Sequence, residues 1–287
     1  MTYTSNSDIP QKTQQSIRIE SDLQRILKSS GHVFFETLLY IIYRDWLAKP
    51  GSTVLDIGAH TGTHTFRLAE CVGERGRVLA FEPATSLAAG LLEECQKRYG
   101  TNQTRVQVLP MAVSEKSGVT VFRQNITRPS QSTIVQGHGI KDATTIETAC
   151  GVVSIDSLFE ALGTCYLSFV KIDAEGNEYR ILDGARKTLT KMSPIIAMEF
   201  TLEQLKLIGR TPNDFQMLCQ DLNYVFYNVN GLPFSCDIVP SSQRQSVCYE
   251  IFGAKRGHWG EEFLANKLPE LVSRFLRHYA EQKRIHL

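Results

Sequence analysis

From residue 51 onward, short apolar runs alternate with longer stretches in which apolar residues recur every three or four positions. The short runs predict strands at 54–57, 78–81, 106–109, 169–172, 195–198, 225–229 and 247–252. Between most of them the spacing is helical. Leu87, Leu91, Leu92 and Cys95 share one face, as do Phe215, Leu218, Cys219 and Leu222 behind a Thr211-Pro212 start. There Thr caps and Pro occupies the first helical position. Strands alternating with helices predict a doubly wound α/β fold, a mostly parallel sheet covered on both faces. No clear helix separates the last two strands, which reads as an antiparallel pair.

The ends and one insertion depart from this pattern. Residues 1–16 are polar and read as a disordered tail. A helix is expected from Ser21, where Ser21 and Gln24 can form a capping box ahead of Leu23, Ile26 and Leu27. A second helix is expected over 34–47, ending at Lys49-Pro50-Gly51. The apolar stretch 33–43 carries Glu36 and is far shorter than the roughly 20 residues a bilayer requires. Residues 114–150 form a polar insertion with one strand candidate, 119–122. Beyond Gly257, Leu268, Leu271, Val272, Phe275 and Tyr279 mark a terminal helix opened by Pro269. The expected organisation is a tail (1–16), an N-terminal helical segment (17–50), a Rossmann-like domain (51–256) and a C-terminal helical tail (257–287). The apolar stripes of the flanking helices need cover, either from the domain or from a second subunit, which suggests a homodimer.

Composition narrows the partners. With 31 Lys+Arg against 30 Asp+Glu, no global field steers the chain toward nucleic acid or anionic lipid. The basic residues Arg274, Arg277, Lys283 and Arg284 read as a solvated face. Seven scattered cysteines, none spaced CxxC, argue against a disulfide or zinc framework and for a reducing cytoplasm. The polar N-terminus lacks the apolar core of a secretory signal.

The sharpest local signal is a strand ending at Asp56-Ile57, then Gly58, Ala59, His60, Thr61 and Gly62, then a helix. Glycines there suit a tight turn and the close approach of a ligand. Glu82 ends the next strand 24 residues after Gly58, where a carboxylate can bind a ribose diol. The second glycine of a GxGxxG fingerprint is replaced by His60, and Asp56 would repel a pyrophosphate. A cofactor with a cationic sulfonium, S-adenosylmethionine, fits better than NAD. The alternative is a buried Asp56 capping its own loop beside two glycines that only turn.

These runs, with Ala80-Phe81-Glu82-Pro83 and Met111-Ala112-Val113-Ser114, resemble class I S-adenosylmethionine-dependent methyltransferases. The block Val170-Lys171-Ile172-Asp173-Ala174-Glu175-Gly176-Asn177-Glu178, followed by Ile181-Leu182-Asp183-Gly184-Ala185 and Ala197-Met198-Glu199-Phe200, is similar to the FkbM family. The resemblance spans about residues 51–202. It implies a seven-stranded sheet with its last strand antiparallel, and O-methylation of a hydroxyl on a sugar, glycan or polyketide. Carried over, residues 58–62 and Asp56 would meet the methionine part, Glu82 the ribose, and Met111 and Ala112 the adenine. Class I enzymes often set a carboxylate near the adenine amine, and Met111-Ala112 lacks one.

Methyl transfer aligns acceptor oxygen, methyl carbon and sulfur, and an alcohol must also lose a proton to a base or to a metal-acidified site. The groups expected at the strand ends are Asp173, Glu175, Glu199 and His60, with Asp173 also near the cofactor. Asp173 and Glu175 are equally open to a helix-capping role. Glu199, an acid ending an apolar strand, stands out. Asp173 and Glu199 could hold Mg²⁺, although two carboxylates are not a full ligand set. Glu178 reads as structural, His60 as a base or as a ring that packs against the cofactor or shapes the loop, His64 as helix surface or support behind the site, and His138 as a substrate contact or part of an exposed loop. Lys171 fits a buried ion pair as well as a substrate role. Two other classes remain open: a nicotinamide-dependent oxidoreductase, and a non-catalytic module that keeps the fold.

Overall fold

The computed structural model describes residues 11–30, 33–136, 144–163, 165–234 and 250–283. The chain opens with α1 (Gln11–Ser30) and α2 (Val33–Ile42), the latter running into a π-helical turn, Tyr43–Leu47. Then come β1 (Thr53–Ile57), α3 (Thr63–Val72), β2 (Arg77–Phe81), α4 (Thr85–Tyr99) and β3 (Val106–Leu109). The insertion carries β4 (Ala112–Val113), β5 (Gly118–Asn125) and β6 (Thr145–Val153). The second half adds α5 (Ile155–Leu162), β7 (Leu167–Ile172), α6 (Glu178–Asp183), α7 (Arg186–Met192) and β8 (Ile195–Glu199). Last are α8 (Leu202–Leu207), α9 (Pro212–Asp221), β9 (Tyr224–Asn228), β10 (Glu250–Lys255), α10 (Trp259–Glu262) and α11 (Leu268–Lys283).

Seven strands form one sheet in the order β3-β2-β1-β7-β8-β10-β9. The first five are mutually parallel, and β10 runs antiparallel to both β8 and β9. Alternation along each strand divides the core in two. Val54, Phe169, Ala197 and Phe252 face α1, α2, α3 and α11. Leu55, Val170, Ile196 and Ile251 face the other way, onto Phe159, Ile181, Leu189 and Phe215. Burial on both faces explains why these strands read as continuous apolar runs. The expected doubly wound sheet with helical extensions is therefore present, and Thr211 with Asp214 closes a full capping box at α9.

Three expectations change. The first helix begins at Gln11, so residues 11–16 are helical and Ser21 lies exposed within the helix rather than capping it. Ile19, Leu23 and Ile26 are fully buried, and Ser16 Oγ donates to the Asn230 carbonyl at 2.9 Å, so tertiary packing overrides the polar composition. Residues 1–10 lie outside the described residues. The insertion is a three-stranded sheet, β4-β6-β5, rather than one strand, with β5 and β6 antiparallel and β4 parallel to β6. Its outer positions face water, which hid β6 from an apolar-run reading. The final strand spans Glu250–Lys255, later than the 247–252 expected, and residues 247–249 are outside the described set.

Both helical ends pack on this one chain. Phe34 lies 5.4 Å from Phe275 and 5.0 Å from Tyr279, ring to ring, and Leu268, Val272 and Leu276 join the core with α1 and α2. The stripes invoked for a second subunit are thus covered internally. Among the described residues, no helix is long and apolar enough to cross a membrane.

Candidate functional site

The chain steps outward from β1 through β2 and β3, then returns on the other side of β1 with β7. At such a reversal, open parallel sheets leave a crevice beyond the carboxyl ends of their strands. A cleft of about 690 Å³, its open mouth included, lies there. The loop after β1 lines part of it. Gly58 has φ +83°, and a Cβ there would run into the Asp173 carbonyl. The Asp173 amide donates to the Ile57 carbonyl at 3.0 Å, which sets this close approach. Gly62 has φ +90°, and its Cβ would collide with Leu91 and Phe66. The positive φ values fit the expected tight turn, and the atoms a Cβ would meet belong to the chain's own neighbours.

His60, at φ +50°, turns its amide to Glu82 Oε2 at 2.8 Å, and the Ala84 amide donates to Oε1 at 2.8 Å. Glu82 is thereby fixed on the cleft wall, where burial raises its pKa and the two amides pull it back down. Each oxygen keeps a lone pair for a hydroxyl donor. Gly58, His60, Met111 and Ala112 also line the cleft, as do Asp173 and Glu175. Asp56, Ala59, Thr61 and Gly62 do not. Asp56 is fully buried behind the loop, where Oδ2 accepts from Thr65 Oγ1 at 2.6 Å and Oδ1 has no partner among the described residues. Thr61 is exposed, Ala59 is buried, and Gly62 precedes α3.

Residues 56–226 match the family model described as the methyltransferase FkbM domain, well over half of the chain. The chain belongs to this family. No curated protein matches it. Among solved structures, an FkbM methyltransferase from Methylobacillus flagellatus KT is 15% identical with TM-score 0.44, over 74% of this chain. The match covers 49% of that protein, so the chain spans about half its length. An O-methyltransferase from Bacillus cereus in complex with SAH is 15% identical, over 88% of this chain and 94% of that one, with TM-score 0.40. A SAM-dependent O-methyltransferase from Thermotoga maritima is 16% identical, over 82% and 71%, with TM-score 0.38. At such identities and scores these likenesses bear on neither substrate nor residue roles.

In this FkbM-family chain, two acids line the floor of the cleft and a third lies directly behind them. Ligand oxygens of Asp173, Glu175 and Glu199 lie within 4.8 Å of one another. Asp173 and Glu175 lie on the β7–α6 loop, and Glu199 ends β8 beside them without reaching the cleft wall. Burial first, then the charges of Asp173, Glu175 and Glu250, push the Glu199 pKa up to about 8. Lys171 is buried and pairs with Asp173 Oδ2 at 3.1 Å. Burial would lower its proton affinity, but Asp173, Asp56 and Glu250 outweigh that and hold it charged. This is the ion-pair alternative rather than a substrate contact. Glu178 Oε1 accepts from the Ala174 and Gly176 amides at 2.8 and 3.3 Å, consistent with its structural reading.

His64 is not on the helix surface. It is buried, with Nε2 2.6 Å from Glu36 Oε2 and Nδ1 3.1 Å from the Tyr43 hydroxyl, so α2 is tied to the start of α3. His138 lies outside the described residues. Sequence reasoning did not single out Glu250, which faces Glu199 across the antiparallel pair, nor Phe122 and Ile134 of the insertion, which line the cleft. Glu250 lies inside the run 247–252 read as a strand, where one acid among apolar neighbours is passed over, and the inward face of a Thr-rich hairpin gives a weak signal.

Proposed function

We propose that the cleft binds S-adenosylmethionine and that the protein transfers its methyl group to a hydroxyl of a sugar, glycan or polyketide-type acceptor. In this reading the methionine part lies over Gly58 and His60, the ribose hydroxyls donate to Glu82, and the adenine extends toward Met111 and Ala112. The observation that carries it is Glu82, held by two amides on the wall of a cleft at the point where the strand order reverses. The acidic floor of Asp173 and Glu175, with Glu199 behind it, favours a cationic sulfonium over a pyrophosphate, which sets the nicotinamide reading aside. Glu199, with its raised pKa, is the favoured general base for the acceptor hydroxyl, and Glu175 is the alternative. Family membership supports the reaction class. The acceptor class rests on the FkbM resemblance alone. A cytoplasmic setting and a homodimer belong to the same proposal, and among the described residues Cys71, Cys95, Cys150 and Cys165 form no disulfide.

Calorimetry with S-adenosylhomocysteine tests the reading. Micromolar binding is expected, with Glu82→Ala weakening it roughly 10- to 100-fold. Binding of NADH without affinity for S-adenosylhomocysteine would replace it with the oxidoreductase. Cofactor binding with no transfer to any hydroxyl acceptor would favour the non-catalytic module. A metal-assisted version is a second reading, because Glu175 completes a three-carboxylate set with Asp173 and Glu199. Mg²⁺ bound there would acidify the acceptor hydroxyl. Turnover unchanged by chelator and by added Mg²⁺ would remove this version.

A further inference from the structure

Asn177 immediately precedes α6, in the position whose side-chain oxygen usually accepts from an amide two or three residues on. Here it makes no such bond, and Glu178 takes the nearby Ala174 and Gly176 amides instead. The Asn177 side chain is 1% exposed, and its Nδ2 donates to the Val113 carbonyl at 2.7 Å. A carbonyl can only accept, so this bond fixes which end of the amide is nitrogen. The other end, Oδ1, is shielded from water and has no partner among the described residues. A buried acceptor left unpaired costs about 1–3 kcal/mol. Such a group calls for a donor from outside the chain.

Its surroundings indicate which donor. Asn177 lines the cleft, and its partner Val113 follows Met111 and Ala112, beyond Glu82 from the glycine loop. At this end Ala112 and Phe122 pack in one apolar cluster with Ala84 and Cys150, and Ile134 lies against it. Thr133 Oγ1 donates to the Glu175 carbonyl at 2.8 Å, tying the insertion to the loop that leads to Asn177. The result is an end of the cleft with an apolar cluster at its wall and, at Asn177 Oδ1, an unpaired acceptor. A flat purine carrying one exocyclic amine matches both features.

We propose that Asn177 Oδ1 accepts a hydrogen bond from the exocyclic amine of the cofactor's adenine, and that the inserted sheet, through Phe122 and Ile134, walls in the base. This rests on the S-adenosylmethionine reading and supplies the amine contact that Met111-Ala112 lacks. It also gives the insertion a role toward the nucleobase rather than the acceptor.

Calorimetry on the full chain with S-adenosylhomocysteine and S-inosylhomocysteine separates the cases, because the inosyl form presents a carbonyl where adenine has its amine. The wild type should bind the adenosyl form about tenfold or more tightly than the inosyl form. Asn177→Leu, checked for folding by circular dichroism, should bring the two affinities within about twofold by weakening the adenosyl form. Asn177→Ser, which leaves more room and keeps a hydroxyl donor for Val113, gives the same readout if the Leu variant does not fold. Failure of S-adenosylhomocysteine to bind the wild type overturns the cofactor reading and this inference together. Good binding without discrimination against the inosyl form, or with discrimination surviving in a folded Asn177 variant, overturns this inference alone.

Discussion

At the scale of single residues, the acidic floor divides into groups with different tasks. Asp173 is paired with a buried ammonium, whereas Glu199 has only like charges and burial around it apart from the weaker pull of Lys171. Glu199 is thereby able to take a proton near neutral pH, as expected of a group in an acid–base site. Glu199→Gln should therefore lower turnover roughly 10²- to 10⁴-fold while S-adenosylhomocysteine affinity stays within about twofold, read by methyl-transfer assay and calorimetry. Glu175→Gln provides the comparison. Full turnover in both variants would shift proton removal to His60 or to solvent. Residue types and their order made Glu82, Asp173, Glu175 and Glu199 legible in the sequence. The direction in which Asp56 points was not legible, because strand alternation decides it. Its register partner is Lys171, and both point to the face covered by α1, α2, α3 and α11.

At the scale of elements, the β1–α3 loop carries the tightest requirement. Gly58 combines a positive φ with direct opposition from the Asp173 carbonyl, whereas Gly73, with φ +69°, has open space where a Cβ would go. Gly73→Ala should cost only the backbone penalty of its φ +69°, ψ −169° conformation, about 1–3 kcal/mol. Gly58→Ala must also part β1 from β7, so a loss of about 3 kcal/mol or more and collapse of cofactor binding are expected. Chemical denaturation of both variants checks this, and equal losses would show that the β1–β7 approach is looser than drawn. The same comparison shows why elements differ in legibility. The sheet strands, buried on both faces, announce themselves as apolar runs. In β6, Cys150 is the one buried residue, and α1 hides a buried Ser16, Ile19, Leu23 and Ile26 stripe in a polar segment, so both are defined by contacts distant in sequence.

For the whole molecule, the arrangement concentrates acids at one edge of the sheet. Glu178, Glu199 and Glu250 each have a pKa raised to about 8, chiefly by burial. The folded state therefore binds protons that an unfolded chain releases near the ordinary glutamate value. Between those limits the folded form carries more protons, so stability falls as pH rises. Glu36, Glu115 and Asp214 have lowered pKa values and act oppositely, but only below about pH 4.5, where their stabilisation is lost on acidification. The cofactor-free protein should thus be most stable in mildly acidic buffer. Its Tm should drop on the order of 5–10 °C between pH 6 and pH 9. Glu178→Gln keeps an oxygen for the Ala174 and Gly176 amides while removing the proton exchange, so it should flatten that slope. A Tm that holds level or climbs over this interval would mean the acids are solvated, and the electrostatic argument for Glu199 as base would fall with it.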